Sequence, residues 1–328
     1  MNRQSIELAA RRIAPFVTRT PLVTSPWLSS TSGALVWLKL ETAQVTGSFK
    51  ARGAMHALIA LRERAPEVDF VVTASAGNHG QALAWAGKQL GIRVRAHAPA
   101  AAADTKKAAM RAHGAELIEA DSYDAAEDAA RDDAARHGVP YVSPYNDDDV
   151  IAGQGTIALE MLEDAPEIEV FVIAVGGGGL ISGCAIVAKD RAQPLGVIGA
   201  EAEASPVFTT ALAAGAITTV SVLPTLADAL AGNLEPGSRT FPLVRHLVDG
   251  IALVAEGSIE AAMRGLYAHH ALVTEGAGAV ATAALLQGLG LAGRHVGVIV
   301  CGRNIDLDKF ARVTGAPAPP PATVTPPQ

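Results

Sequence analysis

The segment Thr46-Gly47-Ser48-Phe49-Lys50-Ala51-Arg52-Gly53-Ala54 places one lysine between a Gly-Ser turn and a predicted helix over residues 51–64. The glycines and the apolar Phe49 indicate a tight, partly buried turn. A buried lysine amine loses part of its preference for the charged form, so it can act as a nucleophile or base near neutral pH. A lone lysine near a helix start is more often simply solvated, so the interpretation depends on the loops that follow.

The composition excludes several classes of function. The chain has 328 residues, which is long enough for two domains, and much of its 49% hydrophobic content is alanine, which suits closely packed helices. The formal net charge of −7 gives no basic patch, so we expect no nucleic-acid partner. Cys184 and Cys301 are too few for a disulfide framework or a zinc site. Because there is neither a signal-like start nor an apolar run of about 18 residues, we expect a cytoplasmic protein without membrane contact.

Strand and helix patterns alternate after the Lys50 segment. Short apolar strands bounded by glycine and separated by helical patterns are typical of an α/β fold with parallel sheets and crossover helices. In such folds ligands bind beyond the carboxyl ends of the strands. The predicted strands are residues 35–41, 70–73, 94–98, 116–119, 170–175, 196–200, 250–254 and 295–300, and the predicted helices include residues 5–14, 80–90, 105–113 and 123–137.

Two loops after predicted strands carry small residues. Residues 73–80 read Thr-Ala-Ser-Ala-Gly-Asn-His-Gly, which lets backbone amides converge at a helix N-terminus and form an anion site. Residues 176–179 are four consecutive glycines before a helix predicted from about Ile181. Such a run implies backbone conformations or close approaches that other residues forbid. Amides that open onto a helix N-terminus form a phosphate cradle.

The glycine run also resembles a dinucleotide-binding fingerprint. Gly177, Gly179 and Gly183 mimic its spacing, and Glu201 lies about 20 residues further on, where a ribose ligand is expected. A nicotinamide-dependent dehydrogenase is therefore an alternative for this segment alone. We do not favour it, because it leaves Lys50 and the loop around Asn78 unexplained.

Together these segments resemble a known family. Residues 46–54 are similar to the Schiff-base segment of the fold-type II pyridoxal-phosphate enzymes, and most similar to that of the serine/threonine dehydratase and serine racemase family. The resemblance runs from about Ile6 to Phe310, nearly the whole chain. It implies two open, twisted, parallel-type sheet domains flanked by helices, as in the tryptophan synthase β-like fold.

The resemblance, rather than the periodicity, divides the chain. It implies a large cofactor-binding domain of residues 1–69 and 147–314, with a small domain of residues 70–146 inserted into it. The Ala/Pro-rich tail, residues 315–328, cannot bury a core and is expected to be disordered.

The same resemblance implies the cofactor and the site. Pyridoxal 5′-phosphate would be held by Lys50, with the amino-acid carboxylate bound by the loop that follows the second predicted strand. His79 and Glu275 also have simpler interpretations, as residues at the starts of helices. The implied cofactor-binding residues are Phe49, Lys50, Asn78, Gly176, Gly177, Gly178, Gly179, Glu275 and Cys301, the implied substrate-binding residues are Ser75, Gly77, Asn78 and His79, and the implied catalytic residue is Lys50.

Cys301 stands in a slot that this family more often fills with serine, beside the pyridine nitrogen of the cofactor. Without the resemblance it would be interpreted as a small buried hydrophobe. A thiol has a pKa of about 8.5 and is neutral at pH 7, so it cannot hold a pyridinium as an aspartate would. Weaker electron withdrawal suits prompt loss of a β-leaving group.

Position 76 separates two activities of the family. In its serine racemases a serine at this place protonates the second face of Cα, whereas this chain has Ala76, which has no proton to give. The sequence therefore favours a dehydratase, in which one lysine works on one face.

No metal site is predicted. Family members that bind a divalent cation do so through a glutamate, here Glu201, a nearby carbonyl and an aspartate six residues later, where this chain has Val207. Hard cations prefer six or more oxygen ligands, and one anionic ligand is missing here. The run Asp147-Asp148-Asp149 is interpreted as a solvated loop.

The predicted function is a pyridoxal-phosphate-dependent ammonia-lyase. It would convert L-threonine, L-serine or threo-3-hydroxyaspartate to a 2-oxo acid and ammonia, in a homodimer or homotetramer. We expect no regulatory domain of the kind found in biosynthetic threonine dehydratases, which favours a catabolic role. The alternatives are a serine racemase-like isomerase, a β-replacement synthase and a non-catalytic amino-acid-binding protein.

Overall fold

The structure is a computed structural model that describes residues 1–75 and 77–315. The predictions about Ala76 and about the tail beyond Gly315 lie outside the described residues. The strands are β1 (Leu22–Thr24), β2 (Leu35–Leu40), β3 (Phe70–Ala74), β4 (Arg93–Pro99), β5 (Glu116–Ala120), β6 (Val170–Ala174), β7 (Gly196–Ala202), β8 (Gly250–Val254) and β9 (His295–Val300).

Helices connect and cover these strands, and those predicted near residues 5–14, 51–64, 80–90, 105–113 and 123–137 are all present. The helices are α1 (Arg3–Ile13), α2 (Pro26–Ser32), α3 (Lys50–Arg64), α4 (Asn78–Leu90), α5 (Asp104–Ala112), α6 (Tyr123–His137), α7 (Asp148–Asp164), α8 (Gly179–Lys189), α9 (Val207–Ala214), α10 (Thr240–Leu247), α11 (Glu256–His270), α12 (Gly276–Gln287) and α13 (Leu307–Gly315).

The strands form two sheets, as the α/β prediction requires. Six strands pair in the order β1-β2-β9-β6-β7-β8, and three pair in the order β3-β4-β5. All neighbours run parallel except β1, which pairs antiparallel with β2, with Leu22 opposite Lys39. The prediction of parallel-type sheets is confirmed, and β1, which is not among the predicted strands, adds one antiparallel strand at the edge. The connection from β1 to β2 holds only the short α2, so the chain reverses direction instead of crossing over.

Two hydrophobic cores flank the helix that carries Lys50. The larger core surrounds the six-stranded sheet, whose strand β6 is buried along its whole length, as expected for a strand covered on both faces. The second core packs Met55 and Leu58 of α3 against Val71 of β3 and Leu83 of α4. Helix α3 therefore lies at the junction of the two sheets.

A buried ionic network fixes the first turn of α3. Arg52 has no exposed surface and donates from Nε and Nη2 to the two carboxylate oxygens of Glu41, over 2.9 and 2.8 Å. Its Nη1 donates to Glu160 over 2.6 Å, and Lys39 Nζ donates to the other oxygen of Glu160 over 2.7 Å. The first turn of α3 is thus tied to the end of β2 and to α7, only two residues from Lys50.

The acidic run at residues 147–149 is not the solvated loop that the sequence suggested. The Asp147 carboxylate caps α7, accepting from the backbone amides of Asp149 over 2.8 Å and Val150 over 3.1 Å. Acidic side chains in a first helical turn also interact favourably with the helix dipole. Among the described residues, no helix is long and apolar enough to cross a membrane.

Candidate active site

The turn that presents Lys50 is held against the end of strand β9. Gly47 lies in the left-handed region at φ 72°, a conformation that a glycine adopts without a Cβ penalty. Its carbonyl accepts from the amide of Arg303 over 2.9 Å, and the amide of Phe49 donates to the carbonyl of Cys301 over 3.0 Å. The Lys50 segment and the Cys301 segment therefore form one unit.

The amine of Lys50 is buried and has one hydrogen bond to the part of the chain that the structure describes. Its Nζ donates to the carbonyl of Pro144 over 2.8 Å and lies 5.1 Å from the centre of the Phe49 ring. Burial lowers the pKa of Lys50 to about 8, although Cys301 and Glu275 favour the charged form. A substantial fraction of the amine is therefore neutral and nucleophilic slightly above neutral pH.

The loop after β3 opens helix α4. The hydroxyl of Ser75 accepts from the amides of Gly77 over 3.0 Å and Gly80 over 2.9 Å, which shapes the turn. Asn78 begins α4, two residues before the predicted start, and its Nδ2 donates to Glu275 over 2.6 Å. Both side chains are almost fully buried at the edge of the three-stranded sheet.

His79 follows in the first turn of α4 and is also buried. Its Nε2 lies 3.3 Å from the carbonyl of Val142, and its Nδ1 has no hydrogen-bond partner among the described residues. Burial, assisted by the charge of Lys50, lowers the pKa of His79 to about 3. A neutral imidazole with so low a pKa is a weak base, which favours the structural interpretation of this residue.

The glycine run forms the turn from β6 into α8, which begins at Gly179 rather than near Ile181. Gly178 has φ 84°, and a Cβ there would lie 2.6 Å from the Phe208 ring. A Cβ at Gly177 would lie 2.3 Å from the ring of Tyr145. The first amides of a helix lack intrahelical acceptors, so this turn offers free N–H groups where no side chain fits.

Glu275 and Cys301 complete the opposite wall. Glu275 precedes α12 and makes no side-chain capping bond to it, since its carboxylate instead meets Asn78 and, at 3.2 Å, Lys106 Nζ. Burial raises the pKa of Glu275, against the opposing effect of Lys106. The Cys301 thiol donates to the Ala277 carbonyl over 3.5 Å, and burial raises its pKa, so that it is neutral at pH 7.

The structure brings the sequence-predicted residues together in two adjoining cavities, which share Lys50, Asn78, Gly177, Ala229 and Leu230. All nine predicted cofactor-binding residues line the first, here called the cofactor cavity: Phe49, Lys50, Asn78, Gly176, Gly177, Gly178, Gly179, Glu275 and Cys301. All four predicted substrate-binding residues line the second, here called the substrate cavity: Ser75, Gly77, Asn78 and His79.

Sequence reasoning missed several residues of these walls. Lys106, Tyr123, Tyr145 and Asp228 line the substrate cavity, and Leu230 lines both cavities. Lys106 precedes a second lysine in a helix, and Asp228 lies in an alanine-rich loop, so neither stands in a recognisable motif. Only the packing of α5 and of residues 228–233 around the cavity reveals them.

The carboxylate of Glu201 is engaged by the protein itself and is not free for a ribose or a cation. One oxygen accepts from the amide of Phe208 over 2.7 Å, and the other accepts from the amide and hydroxyl of Thr209 over 2.9 and 2.8 Å. This carboxylate therefore serves the start of α9, which removes the ribose ligand that the dinucleotide alternative needed. Across residues 1–75 and 77–315, no group of three or more His, Cys, Asp or Glu side chains is placed to hold a metal ion.

Comparisons with known proteins show the family to which the whole chain is similar. The family described as "Pyridoxal-phosphate dependent enzyme" matches residues 13–302. An L-threonine ammonia-lyase of Thermotoga maritima is 40% identical over 311 residues, 94% of this chain and 77% of that protein. The crystal structure of a threonine deaminase from T.th. has a TM-score of 0.86 at 36% identity, over 93% of this chain and 99% of that one. Maize serine racemase has a TM-score of 0.88 at 34% identity, over 95% and 96%.

The chain belongs to the pyridoxal-phosphate dependent enzyme family. Its fold is that of the fold-type II members, and pyridoxal phosphate is its cofactor. The residues present fit that group. The turn at residues 176–179 leaves space that a Cβ would fill and offers amides to an anion, while Lys50 supplies a buried amine of lowered pKa in the same cavity.

Proposed function

We propose that this enzyme is an ammonia-lyase that converts a β-hydroxy-α-amino acid, L-threonine, L-serine or threo-3-hydroxyaspartate, to a 2-oxo acid and ammonia. One observation carries the proposal: Lys50 stands where a cavity with an anion-binding glycine turn meets a cavity lined by Ser75 and Asn78. The similarity to proteins named as L-threonine ammonia-lyase and threonine deaminase supports it.

The proposed roles follow from the positions of the side chains. Lys50 Nζ would hold the cofactor and then take the proton from Cα of the substrate. Ser75, Gly77, Asn78 and His79 would orient the substrate carboxylate at the start of α4, where free amides favour an anion. The cofactor, when bound, withdraws electrons from Cα and so acidifies its proton.

The remaining cofactor contacts are proposed in the same way. Residues 176–179 would bind the phosphate, Phe49 would pack beside the ring, and Asn78 would bond its phenolic oxygen. Glu275 orients Asn78 through their 2.6 Å hydrogen bond. The neutral thiol of Cys301 would meet the pyridine nitrogen without protonating it, and this favours elimination of the β-hydroxyl.

A racemase is the second candidate, because the chain is similar to maize serine racemase over nearly its whole length. It requires an acid on the second face of Cα, and residue 76 of this chain is alanine. Measuring D-serine formed from L-serine separates the two activities, and we expect 2-oxo acid and ammonia to be the main products.

The organisation of the enzyme is part of the proposal. We assign residues 1–69 and 147–314 to a large cofactor-binding domain and residues 70–146 to a small one, which contains the whole sheet β3-β4-β5. We further propose a homodimer or homotetramer in the cytoplasm. Size-exclusion chromatography with light scattering tests the assembly.

The function is tested by spectroscopy followed by product analysis. The purified protein should show the visible absorbance of a lysine-bound pyridoxal phosphate, and Lys50→Ala should lose both that band and all formation of 2-oxo acid. Lys107→Ala is the matched control, because Lys107 bonds the Ala100 carbonyl over 2.9 Å and lies outside both cavities. A protein that stayed colourless and inert after addition of pyridoxal phosphate would overturn the proposal and favour a non-catalytic amino-acid-binding protein.

A further inference from the structure

Lys106 extends from helix α5 to the wall of the substrate cavity. Its Nζ lies 3.2 Å from a carboxylate oxygen of Glu275 and 3.3 Å from one of Asp228. The Lys106 side chain is 5% exposed, whereas that of Asp228 is 44% exposed. Burial disfavours the charge of Lys106, but the two carboxylates outweigh it and raise the pKa of Lys106. One ammonium is thus held between two carboxylates, one buried and one open to solvent.

Among the described residues of the substrate cavity, no side chain other than Lys106 is available as a cation for a second carboxylate. Among the described residues that line this cavity, the basic side chains are Lys50, His79 and Lys106. Lys50 is assigned to the cofactor, and His79 is neutral because burial holds its pKa at about 3. Lys106 already has two carboxylate partners. A substrate with a second carboxylate would therefore find no unpaired positive charge here and would meet the exposed carboxylate of Asp228.

We propose that the Lys106–Asp228 ion pair selects substrates whose β-substituent is uncharged. The enzyme would then act on L-threonine or L-serine in preference to threo-3-hydroxyaspartate. This inference rests on the function proposed above and narrows its substrate class. Asp228 acts by repulsion of a second carboxylate and by occupying the one ammonium that could bind it, which is a common way to build specificity.

One further charged residue lies near this pair. Lys309 of α13 lies 3.8 Å from the second oxygen of Asp228. Lys309 and Asp306 line a neighbouring hollow, which Lys106, Asp228 and Glu275 also line. Neither Lys309 nor Asp306 lines the substrate cavity. Asp306 is therefore a matched acid for a control, since its neutralisation changes the net charge of the region without changing the cavity wall.

The test uses two analogues that lack the β-hydroxyl and so cannot be dehydrated. L-2-Aminobutyrate stands for L-threonine, and L-aspartate stands for 3-hydroxyaspartate. Their dissociation constants for the holoenzyme can be measured by isothermal titration calorimetry. We expect L-2-aminobutyrate to bind at least about tenfold more tightly, the order of effect that one unit charge has at a distance of a few ångströms.

The variants locate the source of that preference. Asp228→Asn should reduce the ratio of the dissociation constant of L-aspartate to that of L-2-aminobutyrate about tenfold, because it removes the repulsion and frees Lys106. Asp306→Asn should leave the ratio unchanged. Adding Lys106→Met to Asp228→Asn should return the preference for L-2-aminobutyrate, since no ammonium remains for the second carboxylate.

The outcomes separate this inference from the proposed function. Tighter binding of L-aspartate by the wild-type enzyme, or an equal change in Asp228→Asn and Asp306→Asn, overturns the role of the ion pair even if L-threonine is dehydrated. Absence of 2-oxo acid from every substrate overturns the lyase. In that case the ratio of the two dissociation constants, compared between wild type and Asp228→Asn, still tests whether Asp228 excludes ligands with a second carboxylate.

Discussion

The side-chain amide of Asn304 donates to the side-chain carbonyl of Asn78 over 2.8 Å, across 226 positions of sequence. The same amide also donates to the backbone carbonyl of Thr46 over 2.9 Å. Asn304, in the segment that follows β9, therefore connects the turn that presents Lys50 with the loop that opens α4. The two loops follow strands of different sheets, and both line the cofactor cavity, through Phe49 and Lys50 of the first loop and Asn78 of the second.

Asn304→Ala should weaken binding of pyridoxal phosphate by about tenfold, because it removes the partly buried hydrogen bonds to Asn78 and Thr46, of roughly 1 kcal/mol each, and lets Asn78 turn. The dissociation constant can be measured by fluorescence titration of cofactor-free protein. Gln287→Ala is the control, since that exposed side chain makes a single 3.4 Å hydrogen bond within the described residues, to the Leu253 carbonyl. Equal affinities in the two variants would show that Asn304 does not organise the site.

Lys50 should react as an unusually acidic lysine in the cofactor-free protein. Its pKa is lowered to about 8, so the neutral amine that attacks an aldehyde rises tenfold per pH unit below that value and levels off above it. The rate of reductive methylation at Lys50, followed by peptide mass spectrometry, should have its midpoint near pH 8. A midpoint near the ordinary lysine value of about 10.4 would contradict the burial of this amine.

The lowered pKa of Lys50 also determines the direction in which this residue changes the free energy of unfolding with pH. Between pH 8 and the ordinary lysine range the unfolded chain binds more protons at Lys50 than the folded chain does, so this residue's contribution to the free energy of unfolding rises with pH there. Comparing the pH dependence of urea unfolding in cofactor-free wild-type protein and Lys50→Met isolates that contribution. The prediction is contradicted if, as the pH rises, the free energy of unfolding of the wild type falls relative to that of Lys50→Met.

Gly178→Ala should destabilise the protein and impair cofactor binding together. Its φ of 84° is strained for alanine, and the added Cβ would lie 2.6 Å from Phe208, which together cost about 2–4 kcal/mol. Gly257→Ala in α11 is the matched control, because nothing lies within 4 Å of its Cβ position and no left-handed φ is involved. Urea unfolding measures the difference in unfolding free energy between the two variants. Equal free energies would show that the turn relaxes to accept the added Cβ.

Arg52→Met should cost about 3–5 kcal/mol of unfolding free energy, because it leaves the buried carboxylate of Glu41 and the partly buried carboxylate of Glu160 without their guanidinium. Arg93→Met removes an ion pair with Asp69 in which both side chains are about 70% exposed, and it should change stability little. Denaturant midpoints compare the two. Similar midpoints would mean that the network around Arg52 is dispensable.

Local patterns predicted much of this molecule. Apolar strands such as β6 and small-residue loops such as residues 176–179 carry their signal in consecutive residues, because burial on both faces and close backbone approach constrain each position. The helix starts were slightly late, at Gly80 rather than Asn78 and at Ile181 rather than Gly179, because glycine and asparagine resemble loop residues until the turn is seen.

The remainder of the site depends on contacts between distant segments. Lys106 and Asp228 are 122 positions apart, and Asn304 and Asn78 are 226 apart, so no sequence window contains either pair. The Asp147 cap was missed for a different reason. Three consecutive acids look like a solvated loop, although the first of them satisfies two amides of α7.

The three hydrogen bonds that Glu201 accepts at the start of α9 bear on protein engineering. Replacing Val207 by aspartate would restore the missing acid of the family's cation set. It would not yield an ion site by itself, because both oxygens of Glu201 already accept bonds from Phe208 and Thr209. An engineered cation site would first require new hydrogen-bond acceptors for the N-terminus of α9, because Glu201 cannot both accept these bonds and coordinate an ion.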